Sequence, residues 1–266
     1  MTDLDAELER ERRSLSGGAR MAIGCAIVLG VPILLLAGYG IYVAFIQTPA
    51  QRMEALLERS PQIARVVAPV KRAYPAEFDR LVERIDGSRA MNKDEDIVLP
   101  IVADFMAKLW GRHRQQMTQA PDAQVLAVIR AQARMAEIGT KNAKVCHLLF
   151  KDVPIKDWDF LKEKPTRDAV YAMAQSIADA AAAGREHPVD RILPSEADKL
   201  AMGRGLGGRG LTDARIQQLK QPNLPDEALE ANCKTLDLIY ETLLGQPTER
   251  LQRLGTQAMR DGGTES

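Results

Sequence analysis

The chain reads as an all-α protein: one N-terminal transmembrane helix followed by a multi-helix extramembrane domain. Three observations predict this. Met21 to Ile46 is an apolar run without a charged residue, longer than the roughly 20 residues that cross a bilayer as a helix. Aromatic residues make up only 5% of the chain, and the residues that dominate beyond the run (Ala, Leu, Arg, Glu, Gln) favour helix over strand. Apolar residues there recur at intervals of three and four, the spacing of one helical face.

Residues 1–20 form a short cytoplasmic leader in which Leu4, Leu8 and Leu15 sit among charges. Residues 21–46 are the span, read as an uncleaved signal-anchor. A cleaved signal has a shorter apolar core followed by a small-residue site, whereas this run ends in Tyr42-Val43-Ala44-Phe45-Ile46. Gly24, Gly30, Pro32, Gly38 and Gly40 weaken a water-soluble helix but are tolerated in a membrane. Tyr39, Tyr42 and Phe45 gather at its distal end as an interfacial belt. Arg10, Arg12, Arg13 and Arg20 precede the span more tightly than Arg52, Arg59 and Arg65 follow it. The positive-inside rule therefore puts the N-terminus in the cytoplasm and the remainder in the periplasm or outside the cell. Small-residue pairs (Ala26 with Gly30, Gly40 with Ala44) leave open a homodimer through the span.

Residues 47–75, cut by Pro49, Pro61, Pro69 and Pro75, read as a juxtamembrane connector of short helices. An all-helical domain is expected over 76–261, with 262–266 as a flexible tail. Its first helix, residues 76–86, carries Phe78, Leu81, Val82 and Ile85 as a stripe and stops at Gly87. The next covers 97–117 and presents Ile101, Phe105, Met106, Leu109 and Trp110. Pro121-Asp122 opens another, with Val125, Val128, Ile129 and Met135. A short helix follows over 141–151. Thr166 is a candidate N-cap for an alanine-rich helix, 167–183, whose small side chains suit close packing. Ser195 and Asp198 have the spacing of a capping box. Gly203 to Gly210 reads as a mobile linker. Leu229, Cys233, Leu236, Tyr240 and Leu243 mark a strong helix that ends at Gly245-Gln246-Pro247, and a terminal helix occupies 248–260.

Composition and motifs exclude more than they assign. Basic and acidic residues balance at 36 each, so the basic footprint of a nucleic-acid binder is missing. Gly203 and Gly208 have the gap of a P-loop, but Arg209-Gly210 follows in place of Lys-Ser/Thr; Gly203, Gly205 and Gly208 match the dinucleotide pattern, but no strand precedes them, so no phosphate cradle is expected. His113, His147 and His187 are scattered, and Asp94-Glu95-Asp96 reads as charge at a helix N-terminus. No catalytic, cofactor or metal residues are assigned. Cys146 and Cys233 both fall on apolar stripes and are candidates for a disulfide, which an oxidising compartment would permit. The expected function is a single-pass membrane-anchored scaffold or interaction protein of the cell envelope, with the lipid bilayer and a protein as partners. The alternatives are an anchored enzyme whose acid/base residues meet only in the fold, and an extracytoplasmic ligand-binding sensor domain. A cleft with perturbed carboxylates would favour the enzyme, a deep apolar pocket the sensor, and an exposed apolar patch the scaffold.

Overall fold

A computed structural model describes residues 48–150, 158–219 and 226–261, and among these it contains helices and no strand. The run Met21–Ile46 lies outside the described residues, and among those described no helix is long and apolar enough to cross a membrane. From Met53 onward the chain forms one compact unit.

The helices are α1 (Pro49–Arg59), α2 (Pro61–Ala73), α3 (Pro75–Gly87), α4 (Glu95–Thr118), α5 (Asp122–Gly139) and α6 (Ala143–Phe150). A 3-10 turn (Asp159–Lys162) then leads to α7 (Lys164–Glu186), α8 (Glu196–Gly208), α9 (Asp213–Gln218), α10 (Asp226–Leu244) and α11 (Thr248–Asp261). Pro61 and Pro75 each occupy the first turn of their helix, where a missing N–H costs nothing because that donor has no intrahelical partner.

The alanine-rich helix α7 is the axis of the domain. It packs against α2, α4 and α5, and in its C-terminal half Ala178, Ala180, Ala181, Ala182 and Gly184 are all buried. A helix packed by three neighbours must be apolar over the faces that it buries, and alanine makes it thin enough for them to approach. Contact is closest at Gly184, where a Cβ would collide with the carbonyl oxygen of Gln116 on α4 and lie 3.2 Å from the backbone nitrogen of Ala120. Helix α7 starts at Lys164, with Glu163 as its N-cap, and Thr166 is a buried first-turn residue instead of the cap.

Three further differences from the sequence reading have physical causes. The expected connector contributes to the core: Met53, Leu56, Ile63, Val66, Val67 and Val70 are buried in the same cluster as the later helices. Helix α2 continues through Pro69 to Ala73, because buried valines on either side of the proline offset its lost hydrogen bond. The glycine-rich segment is helical as far as Gly208, and Ser195 and Asp198 form a complete capping box at the start of α8. Gly205 faces inward, where a Cβ would come within 2.7 Å of Thr242 Cγ2 on α10.

Replacing Gly184 with alanine is expected to destabilise the domain by about 1–3 kcal/mol through overpacking, although alanine is the better helix former by about 1 kcal/mol. Urea denaturation of the purified chain measures this. An unchanged or raised midpoint would show that α7 and α4 are not in such close contact.

Candidate functional site

Three polar clusters and one surface strip are the places where this fold gathers chemistry. The first joins α3, α4 and α7. Glu77 is buried in the row formed with Leu81 and Ile85, four residues apart, and the carboxylate accepts from Arg112 (3.1 and 2.7 Å) and Arg80 (3.0 Å). Beside it, α4 departs from helical geometry at His113 (φ −116, ψ 20). The His113 ring lies 4.2 Å from that of Tyr74, centroid to centroid, and the Arg185 guanidinium sits 4.8 Å over the same Tyr74 ring. Tyr74 donates to the Ala181 carbonyl at 3.0 Å. His113 Nε2 is 3.5 Å from Glu77 Oε1, within ion-pair range, and has no hydrogen bond among the described residues.

Burial pushes the Glu77 carboxyl up, but Arg112, with help from His113 and Arg80, outweighs this and holds it below the usual range. Burial pushes the His113 imidazole down, and the opposing pull of Glu77 is too weak to restore it.

The second cluster ties α8 to α11. Asp198, 2% exposed, accepts from Arg250 (3.0 Å), from both Nε and Nη2 of Arg253 (2.9 and 3.0 Å), and from the Ser195 backbone (3.0 Å). Arg253 above all, then the Ser195 backbone, holds its carboxyl far below the usual range. The third is acidic. Burial raises the Asp237 carboxyl, and neighbouring Glu241 and Glu137 raise it further. Glu241 is paired with Arg209, and Glu137 with Arg134.

Of the residues singled out in the sequence, Cys146 and Cys233 are brought together as a disulfide between α6 and α10, with Cα atoms 5.8 Å apart. Both are fully buried with Leu229, and Gly139 of α5 leaves them room: a Cβ there would meet Cys233 Sγ. The bond closes a loop with a sequence separation of 87, worth about 4–5 kcal/mol in the chain-entropy account. Glu95 and Asp96 occupy the first turn of α4, as expected, and bond Tyr171 and Arg167 of α7. Arg204 is exposed and makes no ion pair among the described residues.

Neither a family model nor a curated protein nor a solved structure matches this chain.

The surface strip precedes α8. Residues 188–194 run between two prolines without turn or bend, and the exposed large apolar residues include Val189, Ile192 (78% exposed), Leu193 (52%) and, on α8, Leu200 (64%). The strip is pinned to the α4–α5 turn. Val189 N–H donates to the Gln119 carbonyl at 2.7 Å, and Arg191 donates to the Thr118 and Ala120 carbonyls and pairs with Asp122. Elsewhere, Arg134, Lys164, Pro165, Asp168, Ala169 and Ala172 line an open groove of about 400 Å³.

The sequence reading missed the pairing of Glu77 with Arg112, which are 35 residues apart. A signal was present: Glu77 lies one turn before Leu81 on the apolar row of α3, where a charge needs a partner.

Both Glu77 and His113 bind a proton more readily in the unfolded chain, so folding stability falls as pH falls. The loss is expected to begin near pH 6.5, the ordinary histidine value, and to deepen through the carboxylate range near pH 4.3. Replacing His113 with glutamine should flatten the profile between about pH 7 and 5. Thermal denaturation across that range measures it, and an identical slope in the variant would contradict the assignment.

Proposed function

We propose that the chain is a single-pass, membrane-anchored interaction protein of the cell envelope, whose helical domain presents the strip Val189–Leu200 as its contact face. The observation that carries this reading is the exposed apolar strip itself. Ile192, Leu193 and Leu200 are each more than half exposed, yet the segment bearing the first two is fixed in place by Arg191 and Val189. Scattered single apolar residues on a surface need no explanation, but adjacent ones on a segment pinned to the fold suit an interaction site. Fixing the strip beforehand reduces the ordering cost of binding.

The anchor rests on the uncharged run Met21–Ile46, and its orientation on the arginines that precede it. A fully buried disulfide inside the domain supports an oxidising compartment for residues beyond the span, because such bonds persist there and are rare in the cytosol. The buried charges of the Glu77 and Asp198 clusters are directed at one another and at the backbone, and this favours a structural use over acid/base chemistry. The groove beside Arg134 is open and rimmed by charge, unlike the enclosed apolar pocket that a sensor would offer.

Exchanging Ile192 and Leu193 for aspartate tests the reading, since both side chains are exposed and the fold should tolerate the change. Chemical crosslinking in intact membranes is expected to trap the unaltered chain in a larger assembly and to lose that product in the I192D/L193D variant, with thermal stability unchanged within about 0.5 kcal/mol. Equal crosslinking of both chains would show that the strip is not the contact face.

A further inference from the structure

Helices α2, α4 and α7 finish at one end of the domain. Arg72, in the last turn of α2, pairs with Glu186, the last residue of α7, at 2.8 Å. Gly184 of α7 lies against Gln116 and Ala120, where α4 finishes. Tyr171, in the first half of α7, bonds Glu95 at the start of α4, so these two helices run the same way. The strip leaves α7 at this C-terminal end and is kept there, because Val189 and Arg191 are held by the carbonyls of Thr118, Gln119 and Ala120.

Helix α1 runs the opposite way. Glu54 pairs with Lys71 in the last turn of α2 at 3.1 Å. Arg59, the last residue of α1, donates to the carbonyl of Met91 at 2.8 Å, and Met91 lies beyond the far end of α3. The chain therefore enters the domain at the end that carries the strip. Only six residues, 47–52, separate the end of the apolar run at Ile46 from Met53. Helix begins at Pro49 and rises about 1.5 Å per residue, and extended chain covers at most about 3.6 Å, so Met53 is held within about 20 Å of the end of the run.

We infer that Val189, Ile192 and Leu193 insert into the bilayer to which the chain is anchored, docking this end of the domain on the membrane surface. The inference rests on the reading of the chain as anchored and of the strip as its contact face, and it names the bilayer as what the strip touches. An assembly of domains held in this orientation would depend on the strip without touching through it. Ile192 is 78% exposed and Leu193 52%, whereas the neighbouring Arg191 is turned inward to the α4–α5 turn, so the segment offers apolar tips on a fixed base. Extended backbone cannot enter hydrocarbon without stranding its N–H and C=O groups. The side chains therefore insert while the backbone stays among the headgroups, where the exposed Asp190 keeps its water. The nearby charges are already paired, Lys71 with Glu54 and Arg72 with Glu186, so buried apolar area drives the docking. A water-soluble partner would have to enter the space between this end and the bilayer, which the short connection limits to about 20 Å, less than the roughly 30 Å diameter of a small domain.

The test places a photoreactive diazirine residue at position 192 of the full-length chain in its native membrane, and in a second chain at position 163, the exposed N-cap at the other end of α7. Irradiation, digestion and mass analysis are expected to find membrane lipid joined to residue 192 at least ten times more often than to residue 163. Both positions are exposed, so the fold should accept the probe. A product joining residue 192 chiefly to protein would overturn the bilayer contact while preserving the strip as a contact face. Neither lipid nor protein on residue 192 would overturn both. Equal lipid labelling at 192 and 163 would show that no end of the domain is held on the membrane, and would overturn the docking. Release of the unirradiated chain by alkaline carbonate would overturn the anchor itself, and the docking with it.

Discussion

The close approach of α7 to its neighbours is the constraint on which the rest of the domain depends. Because the buried positions of its C-terminal half are mostly alanine and glycine, α2, α4 and α5 can all pack against it. That arrangement fixes the end of α4 against Gly184 and places Ala181 where Tyr74 can donate to it. The α4–α5 turn that follows is in turn the platform to which Arg191 pins the exposed strip. A wider α7 would push these elements apart and change the orientation of the strip.

Around this axis the polar interactions act as fasteners. Glu77 with Arg112 joins α3 to α4, Asp198 with Arg250 and Arg253 joins α8 to α11, and the disulfide joins α6 to α10. The second fastener matters most for the surface, because it fixes which side of α8 faces inward. With Asp198 turned toward α11 and Gly205 against Thr242, Leu200, Gly203 and Arg204 are left facing solvent. The buried carboxylates of Glu77 and Asp198 are both held by arginines, as a charge in an apolar setting requires.

Much of the helical domain was legible from local pattern. The stripes of α3, α5 and α10 and the Ser195–Asp198 box followed from spacing alone, because amphipathic periodicity and capping are local properties. The pairing of Cys146 with Cys233 was legible only as a candidate, since contact between distant segments is set by the fold. Proline and glycine were misleading. Pro69 lies within α2, where packing outweighs intrinsic propensity, and Gly203–Gly208 lie within α8, which the Ser195–Asp198 box starts and Gly205 seats against Thr242. The exposed apolar residues of the strip could not be identified in advance either: Ile192 and Leu193 look like core residues until burial is known.

The central claim is that an anchored chain folds its helical domain in an oxidising compartment. The most direct measurement is thiol mapping on membranes washed with alkaline carbonate: label without reduction after denaturation, digest, and identify each cysteine by mass. The account predicts that the chain stays with the membrane, that Cys25 alone takes the label, and that Cys146 and Cys233 are recovered as one joined peptide. Release of the chain by carbonate, or separate labelling of Cys146 and Cys233, would contradict it.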